Sequence, residues 1–209
     1  MTMFIRERDI HHPMSVMTVI EGYRDHSSIT LREWRSESSL WTMLAASFLF
    51  AVLTALAAQL RFFLPFTPVP FTGQVLVVLL AGFVLGRYGL VSMSMYLGLG
   101  AGLGWFSGMV GAAALTGVTA GYLFGFVLAA AFIGAMVERR RSWNLVQVIA
   151  VMSIGVAIIY GLGTAWLAIL LHMDPTSVLV IGVLPFVAAD GIKVLMASTI
   201  AYTFTSGKA

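Results

Sequence analysis

Between Thr42 and Val137 only two residues carry charge, Arg61 and Arg87, and between Leu145 and Ala209 only four do: Asp174, Asp190, Lys193 and Lys208. Blocks this long and this poor in charge leave a chain in water with too little polar surface to cover itself. The composition agrees: 59% of the 209 residues are apolar and 10% charged, against about 45–50% and about 25% in an average soluble domain. Disorder is excluded by the same figures. A disulfide scaffold is excluded because there is no cysteine. The lipid bilayer is the solvent that fits.

The net charge of +3 does not point to nucleic acid. Its positive charges cluster in an N-terminal segment and in one island, Arg139-Arg140-Arg141 behind Glu138, and do not form a stripe interleaved with aromatics. Residues 1–41 hold six of the nine acidic residues and no sustained apolar run, so they read as a retained cytoplasmic tail. Ile29–Trp34 suits a short interfacial helix. His11-His12 lacks neighbouring ligands for a metal.

A spanning helix takes about 20 apolar residues. The sequence offers six such stretches in 42–209: Thr42 to Phe63, Phe71 to Leu85, Leu90 to Trp105, Thr119 to Val137, Leu145 to Leu171, and most of Val178–Thr205. Ser107–Gly117 reads as a Gly-rich loop. The expected fold is an all-α integral membrane protein, a six-helix bundle. Counting basic residues near span ends puts both termini in the cytoplasm, with Arg61 alone on the outside. Lipid gives apolar helices no hydrophobic reason to associate, so packing must come through small residues. Gly82-xxx-Gly86, Gly104-xxx-Gly108, Gly117-xxx-Gly121-xxx-Gly125 and Ala51-xxx-Ala55 are the candidates.

One feature is costly. Asp190 and Lys193 are the only charges inside the sixth span, and each costs roughly 2.5–3.5 kcal/mol at a bilayer centre. Their i, i+3 spacing puts them on one helical face. Pro185 either starts a helix there or kinks a longer one. A buried ion pair stabilises poorly compared with apolar packing, so a polar ligand needing both an acceptor and a donor accounts for the pair better. Gln74, Trp105, Phe106 and Tyr122 fall at the same end of the bundle and complete the candidate pocket. No nucleophile–base or metal constellation exists within a span, so the chain is not read as an enzyme. No phosphate-binding Gly-x-x-x-x-Gly-Lys-Ser/Thr occurs, so ATP is not bound by that loop.

Three segments, in order, resemble the BioY family, the biotin-specific substrate-binding (S) components of energy-coupling factor (ECF) transporters. They are Thr67-Pro-Val-Pro-Phe-Thr-Gly-Gln74 with Leu79-Leu-Ala-Gly-Phe-Val-Leu-Gly86, Gly121-Tyr-Leu-Phe-Gly-Phe126, and Leu184-Pro-Phe186 with Asp190-x-x-Lys193. The resemblance implies a vitamin pocket at the outer end containing Asp190 and Lys193. It implies a plasma-membrane importer completed by a transmembrane coupling subunit and two ATPase subunits that use ATP, with no cofactor in this chain. It also implies that Ala51 and Ala55 form the docking face for the coupling subunit. The chain departs from the family in reading Gly117-Val-Thr-Ala-Gly-Tyr122 where Gly-Pro-Thr-Gly-Gly-Tyr is usual, and in having no charged residue or Asn over Trp105–Gly121. Biotin suits the pair: its ureido N–H groups match Asp190, an oxygen matches Lys193, and its bicycle matches an aromatic wall. Another small vitamin, or a stand-alone transporter or channel for a polar solute, is the alternative. A stand-alone transporter needs an internal repeat, and none is evident.

Overall fold

The structure, a computed structural model, describes residues 31–140 and 142–204. His11-His12, Arg141, Lys208 and most of the N-terminal tail lie outside the described residues. Eight α-helices occur among those described: α1 (Leu31–Glu37), α2 (Leu40–Gln59), α3 (Gln74–Leu85), α4 (Tyr88–Leu103), α5 (Ala120–Arg139), α6 (Leu145–Leu171), α7 (Pro175–Gly182) and α8 (Leu184–Thr203). Four of them, α2, α5, α6 and α8, are long and apolar enough to cross a membrane. Helices α3 and α4 are apolar but shorter, at 12 and 16 residues.

The outside of this bundle is greasy, as lipid contact requires. Trp41, Leu56, Val146, Ile169 and Ile192 are all at least 60% exposed. The core lies between α3, α5 and their neighbours, where Phe83, Met93, Tyr96, Ile133 and Met152 are fully buried. Helices α5 and α6 meet through glycine: a Cβ at Gly125 would stand 2.9 Å from the Cα of Ile159, and one at Gly121 would collide with the Leu162 carbonyl and the Trp166 side chain. Gly82 does the same between α3 and α5, where a Cβ would lie 2.9 Å from the Ala130 carbonyl oxygen. Small residues thus set the interhelical distance.

Two small-residue patterns serve otherwise than expected. Gly104 and Gly108 are not a helix-packing pair. Both have positive φ, 72° and 85°, and they shape the turn after α4, where Gly104 closes the helix in the left-handed conformation. Ala51 and Ala55, the expected docking residues, are turned toward the bundle's own helices. Ala51 is fully buried and Ala55 9% exposed, on the stripe of α2 that packs on α4 and α3. The reason is size: the small side chains let the backbones approach, while bulky Phe48, Leu49, Leu53 and Leu56 turn outward.

The first expected span is shortened. Helix α2 stops at Gln59, and Arg61–Phe62 (β1) pairs antiparallel with Phe71–Thr72 (β2), Arg61 opposite Thr72. The Gly73 N–H donates to the carbonyls of Ala57 and Leu60, tying the hairpin to the end of α2. The sixth span is two helices, broken at Val183. Pro185 has no N–H to give and its ring crowds the carbonyl four residues back, so the helical ladder cannot run through. At the other end Arg35 of α1 donates to the Phe83 and Val84 carbonyls, both at 3.0 Å, where α3 leaves its last acceptors unsatisfied.

Candidate functional site

The break at Val183 sets the depth of the charged pair. Helix α8 begins at Leu184, and six residues at 1.5 Å rise put Asp190 about 9 Å along it. In an unbroken helix the Gly182 carbonyl would accept from the Phe186 N–H. That N–H instead turns to Val183, at 2.9 Å. The freed Gly182 carbonyl accepts from the Tyr122 hydroxyl of α5, at 2.9 Å. Tyr122 thus pins the break, and with it the start of α8.

Asp190 and Lys193 meet as their spacing requires. Lys193 Nζ donates to Asp190 Oδ1 at 2.7 Å, with the side chains 13% and 5% exposed respectively. Two further groups hold the pair. The Tyr160 hydroxyl of α6 donates to Asp190 Oδ2 at 2.6 Å, and Lys193 Nζ donates to the Thr72 carbonyl of β2 at 2.7 Å. The Lys193 ammonium also lies 4.3 Å from the centre of the Phe71 ring, a cation–π contact. A carboxylate offers about four acceptor sites and an ammonium three donors. Within the protein Asp190 uses two acceptors and Lys193 two donors. The pair is neutralised yet keeps bonding capacity.

That capacity faces a cavity of about 360 Å³, within the range of roughly 300–1,000 Å³ usual for small-molecule sites. Its walls come from the β1–β2 hairpin, the loop after α4, the first turns of α5, and the facing sides of α6 and α8. Of the residues singled out in the sequence, Gln74, Phe106, Tyr122, Asp190 and Lys193 all line it. Trp105 does not. Its ring packs on Phe48, with centroids 6.4 Å apart, on the flank of the bundle. Gln74 is buried and oriented at both ends of its amide: it accepts from Thr72 Oγ1 at 2.9 Å and donates to the Tyr96 hydroxyl at 2.7 Å. Phe106 stands edge-on to Tyr96, with centroids 5.4 Å apart.

Tyr160, Thr72 and Arg61 also line the cavity and were not expected there. Tyr160 carried a legible signal: it is a hydroxyl in the middle of a 27-residue apolar helix, and such a group must find a partner. Thr72 acts through its backbone, which no side-chain pattern announces. Among the described residues no group of three or more His, Cys, Asp or Glu could hold a metal. The arrangement is built for binding: an apolar chamber, a polarised pair at one wall, and a fixed amide beside it.

Known proteins match this chain along most of its length. The sequence profile of the BioY family covers residues 29–208. A Thermotoga maritima protein named biotin transporter BioY is 43% identical over 143 residues, which is 66% of this chain and 82% of that protein. A Rhizobium etli protein of the same name is 35% identical over 158 residues, 71% of this chain and 84% of the relative. A crystal structure of the S-component for biotin from an ECF-type ABC transporter superposes with a TM-score of 0.73 at 25% identity, covering 80% of this chain and 93% of that one.

Proposed function

The chain belongs to the BioY family, and on that premise we propose that it is the biotin-binding S component of an ECF-type importer. It is a multi-pass membrane protein that binds and carries a substrate, not an enzyme. In this reading α2 to α6 and α8 are six spans with both termini in the cytoplasm of a plasma-membrane protein. Helices α3 and α4 cover about 18 and 24 Å at 1.5 Å per residue, and the extended segment before α3 accounts for the rest of a hydrocarbon layer of about 30 Å. The cavity then opens toward the outside, where Arg61 lies, and Arg35, Arg87, Arg139 and Arg140 lie on the cytoplasmic side.

The observation that carries the reading is the buried Asp190–Lys193 pair facing a mainly apolar cavity with bonding capacity to spare. A ureido group fits it. Its two N–H donors match the two acceptor sites left on Asp190, and its carbonyl matches the remaining donor of Lys193. The bicycle lies between Phe106, Tyr122 and Phe186. Gln74 stands beside them as a fixed amide.

Binding of this kind is passive. Moving the ligand across requires a conformational step with an external energy source, assigned here to a transmembrane coupling subunit and two ATPase subunits that bind the ATP. The face of α2 that carries Ala51 and Ala55 is buried and is not part of that docking proposal. Reconstitution in proteoliposomes with coupling and ATPase subunits tests the function. The expected result is biotin uptake that requires ATP. Uptake at equal rate without the ATPases would assign the chain to stand-alone transport.

A further inference from the structure

The charged pair accounts for one end of the ligand; the cavity has a second charged group that it leaves unused. Two cations and one carboxylate line the chamber, Arg61, Lys193 and Asp190. Lys193 and Asp190 neutralise each other at 2.7 Å. Arg61 has no carboxylate within ion-pair distance among the described residues, so the chamber carries one net positive charge.

Arg61 is held in place. It is opposite Thr72 in the β1–β2 ladder, the residue whose carbonyl fixes Lys193. Its guanidinium lies 5.4 Å from the centre of the Phe63 ring. On the other side it rests against Gly108, where any Cβ would collide with Nη1. Gly108 has φ +85°, so the turn both requires glycine and leaves the space the guanidinium fills. Next to Gly108, Ser107 lines the same cavity, and its hydroxyl is packed away from the open space with no hydrogen-bond partner. A buried hydroxyl left unsatisfied is destabilising, and a turn of the Ser107 side chain about χ1 would offer it to a ligand acceptor in the cavity. A guanidinium fork and a neighbouring hydroxyl donor match a carboxylate.

We propose that Arg61 and Ser107 bind the ligand's carboxylate, the end of biotin opposite the ureido ring. They make this site selective for the free acid. The proposal rests on the biotin reading and adds a second, anion-selective end to the site. The distance between ends is set by the hairpin that carries both Arg61 and the Thr72 carbonyl.

The test compares biotin with biotinamide, which keeps the ring system but has no charge at the chain end. Both are titrated into the detergent-purified full chain and its Arg61→Gln, Arg61→Lys and Ser107→Ala variants. The parental chain is expected to bind biotin roughly 10- to 100-fold tighter than biotinamide, the range of one charge-assisted contact. Arg61→Gln is expected to remove that preference by weakening biotin and leaving biotinamide unchanged. Arg61→Lys, which keeps the charge without the fork, is expected to fall between. Ser107→Ala is expected to reduce the preference by a smaller factor. Equal affinity for both ligands in the parental chain overturns the assignment without any variant needing to fold. A preference that survives Arg61→Gln also overturns it. Failure of the parental chain to bind either ligand overturns the biotin reading itself, a different result from equal binding.

Discussion

Replacing Asp190 by Asn separates the ligand's share of the charged pair from the protein's. The side chain keeps its shape, so its oxygen can still accept from Lys193 and its amide can donate to the Tyr160 hydroxyl. What disappears is the negative charge, in a residue 4% exposed. Removing one partner of a buried ion pair costs about 3–5 kcal/mol; the retained bonds place this case near the lower figure. Binding suffers separately. A hydrogen bond to a charged group contributes about 1.5–3 kcal/mol, and one between neutral groups about 0.5–1.5. The ureido N–H on the retained oxygen loses about 1–1.5 kcal/mol, and the other faces an NH2 group that cannot accept and loses its whole bond of about 1.5–3 kcal/mol, which together weaken biotin by roughly 70- to 2,000-fold. Isothermal titration calorimetry and thermal unfolding of the same preparation read both quantities. The double variant Asp190→Leu with Lys193→Met completes the argument, because an apolar pair of similar volume is often neutral or stabilising. It is expected to unfold no earlier than the parental chain and to bind no biotin. If either variant binds biotin within roughly threefold of the parental chain, the pair is structural and the reasoning fails.

Further outcomes follow from the same geometry. Tyr160→Phe removes the 2.6 Å bond to Asp190 Oδ2 and is expected to lower stability by about 1.5–3 kcal/mol, with a smaller loss of biotin affinity than Asp190→Asn; unchanged thermal unfolding would deny that bond its role. Ala51→Trp forces a large ring into a fully buried stripe and is expected to cut the yield of folded protein. Normal stability and binding with only uptake lost would restore the docking role that the burial speaks against. Gly125→Leu puts side-chain atoms against the Ile159 backbone and is expected to cost about 3 kcal/mol, seen as a lower unfolding temperature. Asp174 caps α7: hydrogen bonds from Ser177, and with them the Thr176 N–H, hold its carboxyl below the usual carboxylate range. Because its folded value is depressed, the cap is at full strength above the ordinary unfolded value and is lost as pH falls through the folded one. Hydrogen exchange at the first amides of α7 is therefore expected to speed up on acidification, and an Asp174→Ala variant to lose that dependence.

What was legible in the sequence was local. The Asp190–Lys193 contact follows from i, i+3 spacing on one helix, and the two are in fact bonded. The missing N–H of Pro185 allows a helix start or a kink, and the structure decides for a start, with α8 beginning one residue before it. The extent of α6 follows from an apolar run between Asn144 and His172, with Asn144 and Gln147 forming a capping box. Long-range partners were not legible. The Thr72 carbonyl reaches Lys193 from 121 residues away, and a backbone oxygen has no sequence signature. Tyr160 comes from 30 residues away, and periodicity does not say which face of an all-apolar helix turns inward. The same ambiguity misplaced Trp105, whose position just after α4 suits both the cavity and the flank; a small-residue stripe such as Ala51 and Ala55 packs equally well on the protein's own helices or on a partner's.

Whether a guest in the cavity completes the bonding of the buried carboxylate and ammonium is decided by a structure of the chain with biotin bound. The ureido nitrogens are expected within hydrogen-bond distance of Asp190, the ureido oxygen within reach of Lys193, and the bicycle beside Phe106 and Tyr122. Biotin seated elsewhere, with no ligand atom in reach of Asp190 or Lys193, would contradict this.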